Sequence, residues 1–364
     1  MKKRWIIMGV AGILFLGVLL GVSSQFAMRD ERAEIGVLMH SGASRLSEVS
    51  SEYVDFLDSI LDGNIKKLEI SDNQETLNAA EQFCAEGGDV LISWDAKNLP
   101  EILQICEENQ VFLLQIWEMS ADTDIRERAL KHKYFLGYLL SDEMEAGEKM
   151  AQSLREDGCE EISILTFHPE EENSSIQQRR KISFQAALEP ANPQINLEVY
   201  SFSEGIRYLA RLNREIDGLL LSERIMEYSA QTASEILGNE KMKFAYFDVN
   251  DYTREDLEAG VVTMAACGQQ NILELAVAYA DAFVKNGKNP GEKLQIMCPY
   301  LYLTSGEEFD RYQRLCVEKP AYSEEMVLEL IDSLADGTDR LEEYAQNYSL
   351  SWLESQGRDG GEQG

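Results

Sequence analysis

Residues 88–118, GDVLISWDAKNLPEILQICEENQVFLLQIWE, decide the fold. Two apolar runs, 90–94 and 111–117, flank a segment, 99–108, in which the apolar residues recur at helical spacing. Strands that are apolar on both faces and separated by a helix are typical of βαβ units, in which the strands are parallel and covered by helices. We therefore predict a parallel α/β sheet around this stretch.

The same alternation extends in both directions along the chain. Because 364 residues exceed what one hydrophobic core usually serves, two series of strands predict two similar α/β lobes. The first series of predicted strands is 34–39, 66–70, 90–94, 111–117 and 134–140, and the second is 161–167, 195–202, 218–221, 243–247 and 261–265. A further helix, 271–285, and a further strand, 295–303, follow them.

The N-terminus has the pattern of a targeting segment. Lys2, Lys3 and Arg4 precede residues 5–22, which carry no charge. Basic residues before an apolar run keep the N-terminus inside the cell, so the rest of the chain is expected to be exported. Residues 1–30 are predicted to be either a cleaved signal peptide or an uncleaved membrane anchor, since the run is of borderline length.

Charge and motif content exclude several classes of function. The net charge of −32 repels nucleic acids and anionic lipid surfaces, so we expect no nucleic-acid partner and no membrane contact beyond the N-terminal segment. The six cysteines form no CxxC pair, so we expect buried thiols with at most one disulfide, and no structural metal. Without a GxGxxG, P-loop or GxSxG motif, neither a cofactor nor catalysis is expected.

Several short motifs, in this order, resemble those of the type I periplasmic binding proteins of the ribose/galactose type. That family is related to the ligand-binding domain of sugar-responsive repressors. The resemblance covers about residues 33–317. The motifs are IGV at 35–37, GDVLI at 88–92, LGY at 136–138 with SD at 141–142, Arg180 with Phe184 and Leu188, DGLLLS at 217–222, and AYFD at 245–248.

The resemblance implies two Rossmann-like lobes with parallel sheets, joined by a three-strand hinge, with a ligand bound between them. The N-terminal lobe would comprise 31–140 plus 268–288, and the C-terminal lobe 141–267 plus 289–317. Residues 318–364 would form a C-terminal helix and a disordered acidic tail.

Candidate ligand contacts lie where the strands end, because open α/β sheets bind ligands beyond the carboxyl ends of their strands. Trp94 and Trp117 end strands there, and their flat faces suit sugars, rings or cations; burial in the lobe cores is the alternative. His40 and His168 end the first strand of each lobe, and Asp95 follows Trp94. A metal site formed by these histidines has no close-spaced ligand pair to support it.

The resemblance adds further contacts and shows departures from the family. Arg180 takes the position of the family's ligand-contacting arginine and Asp248 that of its aspartate; a surface salt bridge and a turn cap are the structural alternatives. Glu118 stands where the family has arginine, Glu223 stands where it has asparagine, and Gln269 lies near the position of its hinge glutamine. These glutamates predict an acidic cleft and a neutral or cationic polar ligand.

These features predict an extracytoplasmic protein that binds a small sugar-like or other polar solute for an ABC-type uptake system, with a membrane permease as its partner. The alternative is a membrane-tethered sensor that passes ligand state to a partner such as a histidine kinase. A partner recovered from membranes would separate the two.

Overall fold

A computed structural model describes residues 32–40, 45–61, 64–70, 73–167, 175–188, 196–211, 216–222, 228–288 and 291–358. The predicted N-terminal targeting segment lies outside these ranges. In the part of the chain that is described, no helix is both long enough and apolar enough to cross a membrane.

The first half of the chain alternates strands and helices as the apolar pattern predicts. Strands whose residues are buried along their whole length, such as β3 and β5, require helices on both faces of the sheet. The elements are β1 (Ile35–His40), α1 (Arg45–Ile60), β2 (Ile65–Ile70), α2 (Asn73–Ala85), β3 (Val90–Ser93), α3 (Leu99–Asn109), β4 (Phe112–Trp117), α4 (Thr123–Lys131) and β5 (Phe135–Ser141).

The second half repeats this alternation. Its elements are α5 (Glu143–Glu156), β6 (Ile162–Phe167), α6 (Ser175–Leu188), β7 (Asn196–Val199), α7 (Phe202–Arg211), β8 (Gly218–Leu221), α8 (Ala230–Leu237), β9 (Lys243–Phe247), α9 (Thr253–Glu258) and β10 (Val262–Cys267). The chain continues through α10 (Asn271–Lys285), β11 (Leu294–Cys298), β12 (Leu301–Leu303), α11 (Gly306–Tyr312), a π-helical turn (Gln313–Val317), α12 (Glu324–Ser333), α13 (Asp339–Asn347) and α14 (Leu350–Leu353).

Two six-stranded sheets with the same strand order form the two lobes. The first sheet is ordered β11-β5-β4-β3-β1-β2 and the second β12-β10-β9-β8-β6-β7. Neighbouring strands are parallel except for β10 and β12, which are antiparallel. The predicted fold class, α/β with two Rossmann-like lobes and parallel sheets, is confirmed.

The chain passes between the lobes three times, which gives the three-strand hinge. The crossings lie between β5 and α5, between β10 and α10, and between β11 and β12. The last crossing falls inside the segment 289–317 that the sequence assigned to the C-terminal lobe. β11 instead belongs to the N-terminal sheet, because it pairs with β5 along five residues, and only the chain from β12 onward joins the other sheet.

A glycine makes the pairing between β5 and β11 possible. Gly137 has a φ of +128°, a backbone conformation that side chains disfavour. A Cβ atom at this position would lie 2.2 Å from the backbone oxygen of Leu294 on β11. The close approach of these two strands therefore requires glycine here.

Three apolar clusters hold the lobes together. One lies between the N-terminal sheet and α2 to α4, and another between the C-terminal sheet and α5 and α6. The third is continuous from one lobe to the other, since it joins the remaining face of each sheet to α1, α7, α10 and the C-terminal helices. All six cysteines are buried thiols; the Sγ atoms of Cys84 and Cys106 lie 4.0 Å apart.

As far as residue 358, the C-terminal segment contains three α-helices, α12 to α14, and a final π-helical turn (Glu354–Arg358), where the sequence predicted one helix. It packs against the N-terminal lobe, where Tyr322 N–H donates to the buried Glu274 carboxylate at 3.0 Å and Gln346 Nε2 donates to Met297 O at 2.8 Å. It returns to α11 on the other lobe through the paired hydrogen bonds of Arg311 with Glu354, at 2.7 and 2.5 Å. Residues 359–364 of the predicted acidic tail lie outside the described residues.

Two leucines of α12 test whether this segment belongs to the core. Leu330 is 1% exposed and Leu328 is 39% exposed on the same helix. We expect Leu330→Ala to lower the free energy of unfolding by about 2–4 kcal/mol, because it leaves a cavity, and Leu328→Ala to lower it by about 0.5 kcal/mol or less. Urea unfolding measures both values. Equal small losses would show that the segment contributes little to the fold.

Candidate ligand-binding site

A cavity of about 380 Å³ lies between the lobes, at the carboxyl ends of the strands of both sheets. Its walls come from both halves of the chain and from two of the hinge crossings. The lining residues are Val37, Leu38, Met39, Ser50, Trp94, Trp117, Glu118, Ser141, Ile176, Arg180, Asp248, Gln269, Leu273 and Tyr300. Such a cavity has the size of a small-molecule site and combines apolar surface with a few polar groups.

The N-terminal lobe contributes the two tryptophans. Trp94 directly follows β3 and Trp117 is the last residue of β4; both are half-buried and pack against the apolar cores. The indole N–H of Trp117 donates to Gln269 O at 3.0 Å, across the second hinge crossing. That bond fixes the ring and uses its one donor, so Trp117 offers a ligand only its aromatic surface.

The backbone at Trp117 is in the left-handed region, with a φ of +58°. Glu118 N–H donates to Ile116 O at 2.6 Å, which closes a three-residue turn around the tryptophan. A bulky residue in this conformation costs about 1–2 kcal/mol, so surrounding contacts must hold it there. Strain of this kind concentrates at binding sites, where it directs a side chain that a regular strand end could not.

The C-terminal lobe places an aspartate at the equivalent position. Asp248 follows β9, the strand whose place in the second sheet matches that of β4 in the first, and it has a φ of +65°. Its N–H donates to Ala266 O at 2.7 Å, while its carboxylate makes no hydrogen bond to any residue within the described ranges. The two lobes thus direct an indole and a carboxylate into the cavity from matching strand ends.

Arg180 lies at the base of the cavity and is held by three hydrogen bonds. Its Nε donates to Glu143 Oε2 at 3.1 Å, Nη1 to Ser222 O at 2.7 Å, and Nη2 to the Tyr300 hydroxyl at 3.0 Å. Tyr300 in turn donates to Glu143 Oε1 at 2.8 Å. The guanidinium also stacks on the Phe247 ring, 3.9 Å from its centre. We call Arg180, Glu143 and Tyr300 the hinge triad.

Arg180 keeps its charge although it is buried. Burial alone would lower the pKa of Arg180, but Tyr300, Glu143 and Asp248 outweigh it and hold this pKa well above its ordinary value. Burial raises the pKa of Tyr300 well above its ordinary value, so the phenol stays protonated and can donate to Glu143. Arg180 is therefore a fixed cation that is hydrogen-bonded to the Glu143 carboxylate.

The structure brings six of the ten predicted site residues together around the cavity: Trp94, Trp117, Glu118, Arg180, Asp248 and Gln269. Asp95 does not line it. Its carboxylate instead accepts from the backbone and side-chain N–H groups of Asn98, at 2.9 and 2.6 Å, which fixes the start of α3. His40 ends β1, but its side chain is not among the parts of the chain that the structure describes. His168 and Glu223 lie outside the described residues.

Sequence reasoning missed two members of the hinge triad. Glu143 directly follows the first crossing, and Tyr300 lies in the third crossing after Pro299. The sequence signal that could have pointed to them is the position of a charged or phenolic residue beside a predicted crossing between the lobes. A glutamate at a helix start is commonly a solvated residue, so its complete burial could not be anticipated.

Solved structures with this fold include proteins that are distant in sequence. A periplasmic sugar-binding protein from Pseudomonas fluorescens superimposes with a TM-score of 0.65 at 16% identity, covering 88% of this chain and 99% of that one. A periplasmic solute-binding protein from Actinobacillus succinogenes with bound D-allose gives 0.61 at 17% identity, covering 77% and 100%. A periplasmic ribose ABC transporter protein from Conexibacter woesei gives 0.62 at 16%, covering 78% and 95%.

These neighbours confirm the resemblance drawn from the motifs at the level of the fold, which is that of the type I periplasmic binding proteins. No protein-family model matches the sequence, and no curated protein does.

The burial of the hinge triad leads to a prediction about the free energy of unfolding. Glu143→Ala leaves a buried guanidinium without its anion, so we expect a loss of about 3–5 kcal/mol in the free energy of unfolding. Glu127→Ala, which removes an exposed pair with Lys131, should cost about 0.5 kcal/mol or less. Adding Arg180→Met to Glu143→Ala should recover part of the loss, because no buried charge then remains unpaired. A loss for Glu143→Ala as small as that for Glu127→Ala, by urea unfolding, would contradict a structural role for the triad.

Proposed function

We propose that this chain is an extracytoplasmic solute-binding protein that captures a small, polar, sugar-like ligand between its lobes for an ABC-type uptake system, without transforming it. The observation that carries the proposal is the cavity itself. Its walls include Trp94 and Trp117 from one lobe and Arg180 and Asp248 from the other, so only an approach of the two lobes completes the site.

Binding between hinged lobes provides a physical mechanism for capture. A ligand that contacts both walls favours the closed arrangement by the difference between its affinities for the closed and open states. Three separate crossings limit the motion to a rotation about the hinge. The closed form differs in shape from the open one, and this difference is what a membrane permease would recognise.

Two further observations support export and uptake. The basic start and uncharged run at residues 2–22 are the pattern of a signal peptide or membrane anchor. Neighbours with the same fold include binding proteins of ABC transporters solved with tagatopyranose and with D-allose. The sensor alternative has no specific observation in its favour, so uptake is the function we propose.

Ligand screening tests the proposal directly. The full-length protein in detergent would be heated with neutral sugars, cyclitols, nucleosides and amino derivatives of sugars. We expect at least one compound to raise the melting temperature, since a ligand at about 100 times its Kd adds about 2.7 kcal/mol to the stability of the folded state. Absence of binding by every compound, with calorimetry as the second measurement, would refute the proposed function.

Substitutions then locate the site. We expect Trp117→Ala and Asp248→Asn each to weaken binding by about 1–2 kcal/mol, because each removes a contact in a desolvated pocket. Asparagine tolerates the left-handed backbone at position 248, so the change tests charge rather than conformation. Tyr200→Ala, at a 78% exposed residue outside the cavity, serves as the control. Unchanged affinity in both cavity variants would place the ligand elsewhere.

A further inference from the structure

Resting on the proposed function, we infer that the ligand carries a protonated amine, which Asp248 binds beside the aromatic surfaces of Trp94 and Trp117. The site would then select an amino sugar or a similar small polyol amine over the corresponding neutral sugar. Charge balance, hydrogen-bonding capacity and aromatic surface each support this assignment.

The charges of the side chains around the cavity favour a cationic ligand. Among the described residues that line the cavity, Arg180 is the one cation, and Glu118 and Asp248 are anions. Arg180 is already paired with Glu143, through a hydrogen bond of 3.1 Å between buried side chains. The hinge triad therefore has no net charge, and the Asp248 carboxylate adds a negative charge to the cavity. Arg179, the neighbouring cation, does not line the cavity and donates to Ser141 O instead.

The hydrogen-bonding groups of the cavity favour a ligand that donates. The indole N–H of Trp117 is taken by Gln269 O, and Arg180 already uses three of its five N–H groups within the protein. Asp248, in contrast, presents a carboxylate that no described residue hydrogen-bonds. The Asp248 carboxylate is therefore an acceptor in the cavity wall that has no donor among the described residues. An ammonium group has three donors and no acceptor, so it complements this cavity better than a hydroxyl, which also accepts.

The aromatic surface of the cavity also favours a cation. Two indoles line the cavity from the N-terminal lobe, and the Asp248 carboxylate lines it from the C-terminal lobe. A cation between a carboxylate and an indole gains both a charge-assisted hydrogen bond and a cation–π interaction, and tryptophan is the strongest partner for the latter. The carbon skeleton of the ligand would cover the rest of the rings, as the C–H faces of a sugar do. A cavity of about 380 Å³ accommodates a molecule of that size.

Matched ligand pairs test the inference. Calorimetry at pH 6.5, where the amines are protonated, would compare 6-amino-6-deoxy-D-glucose with D-glucose, D-glucosamine with N-acetyl-D-glucosamine, and D-glucamine with D-glucitol. We expect at least one amine to bind about tenfold more tightly than its neutral counterpart, the change that one charge-assisted hydrogen bond produces.

Asp248→Asn separates the charge from the shape of the site. The variant should lose the preference, so that it binds the amine no more tightly than the neutral counterpart. Asp332→Asn, which removes an exposed carboxylate from α12, should keep the preference and controls for the overall negative charge of the protein.

The outcomes distinguish this inference from the proposed function. Tight binding of neutral sugars with no gain for any amine would overturn the inference and leave the solute-binding function intact. An amine preference that survives in Asp248→Asn would also overturn it, because the selecting charge would lie elsewhere. If neither amines nor neutral compounds bind, both the inference and the proposed function fail.

Discussion

A buried guanidinium at the hinge is the interaction on which the arrangement of the two lobes depends. Arg180 comes from a helix of the C-terminal lobe, Glu143 follows the first crossing, and Tyr300 lies in the third. A charge out of contact with water is stable only where its anion and hydrogen-bond acceptors are in place. The hinge triad therefore fixes two of the crossings relative to the C-terminal lobe, and with them the base of the cavity.

In the walls above this base, the same backbone conformation occurs once in each lobe. Each sheet ends its equivalent strand in a left-handed residue, Trp117 in one lobe and Asp248 in the other. The backbone strain directs both side chains into the cavity rather than along the strand axis. The duplicated topology thus places one such residue in the wall from each lobe, while the side chains differ, an indole from the N-terminal lobe and a carboxylate from the C-terminal lobe.

The C-terminal helices connect the two lobes at a place other than the three hinge crossings. They add packing and hydrogen bonds on the N-terminal lobe and an arginine–glutamate pair that reaches α11 on the other lobe. The apolar cluster is consequently continuous from lobe to lobe. The lobes of this protein are therefore connected by a packed C-terminal segment as well as by the three crossings.

Residue order alone predicted the βαβ alternation, the two lobes and the strand ends where a site could form, because apolar periodicity is local and strands that alternate with helices pair in parallel. It also indicated Trp94, Trp117, Arg180 and Asp248, which line the cavity together. The tertiary structure decided the rest. It assigned β11 to the first lobe, assigned Asp95 to the start of α3 and buried Glu143 beside Arg180. Those outcomes depend on contacts between residues far apart in the chain, and the energy of a buried charge is set by its neighbours in space, which residue order does not specify.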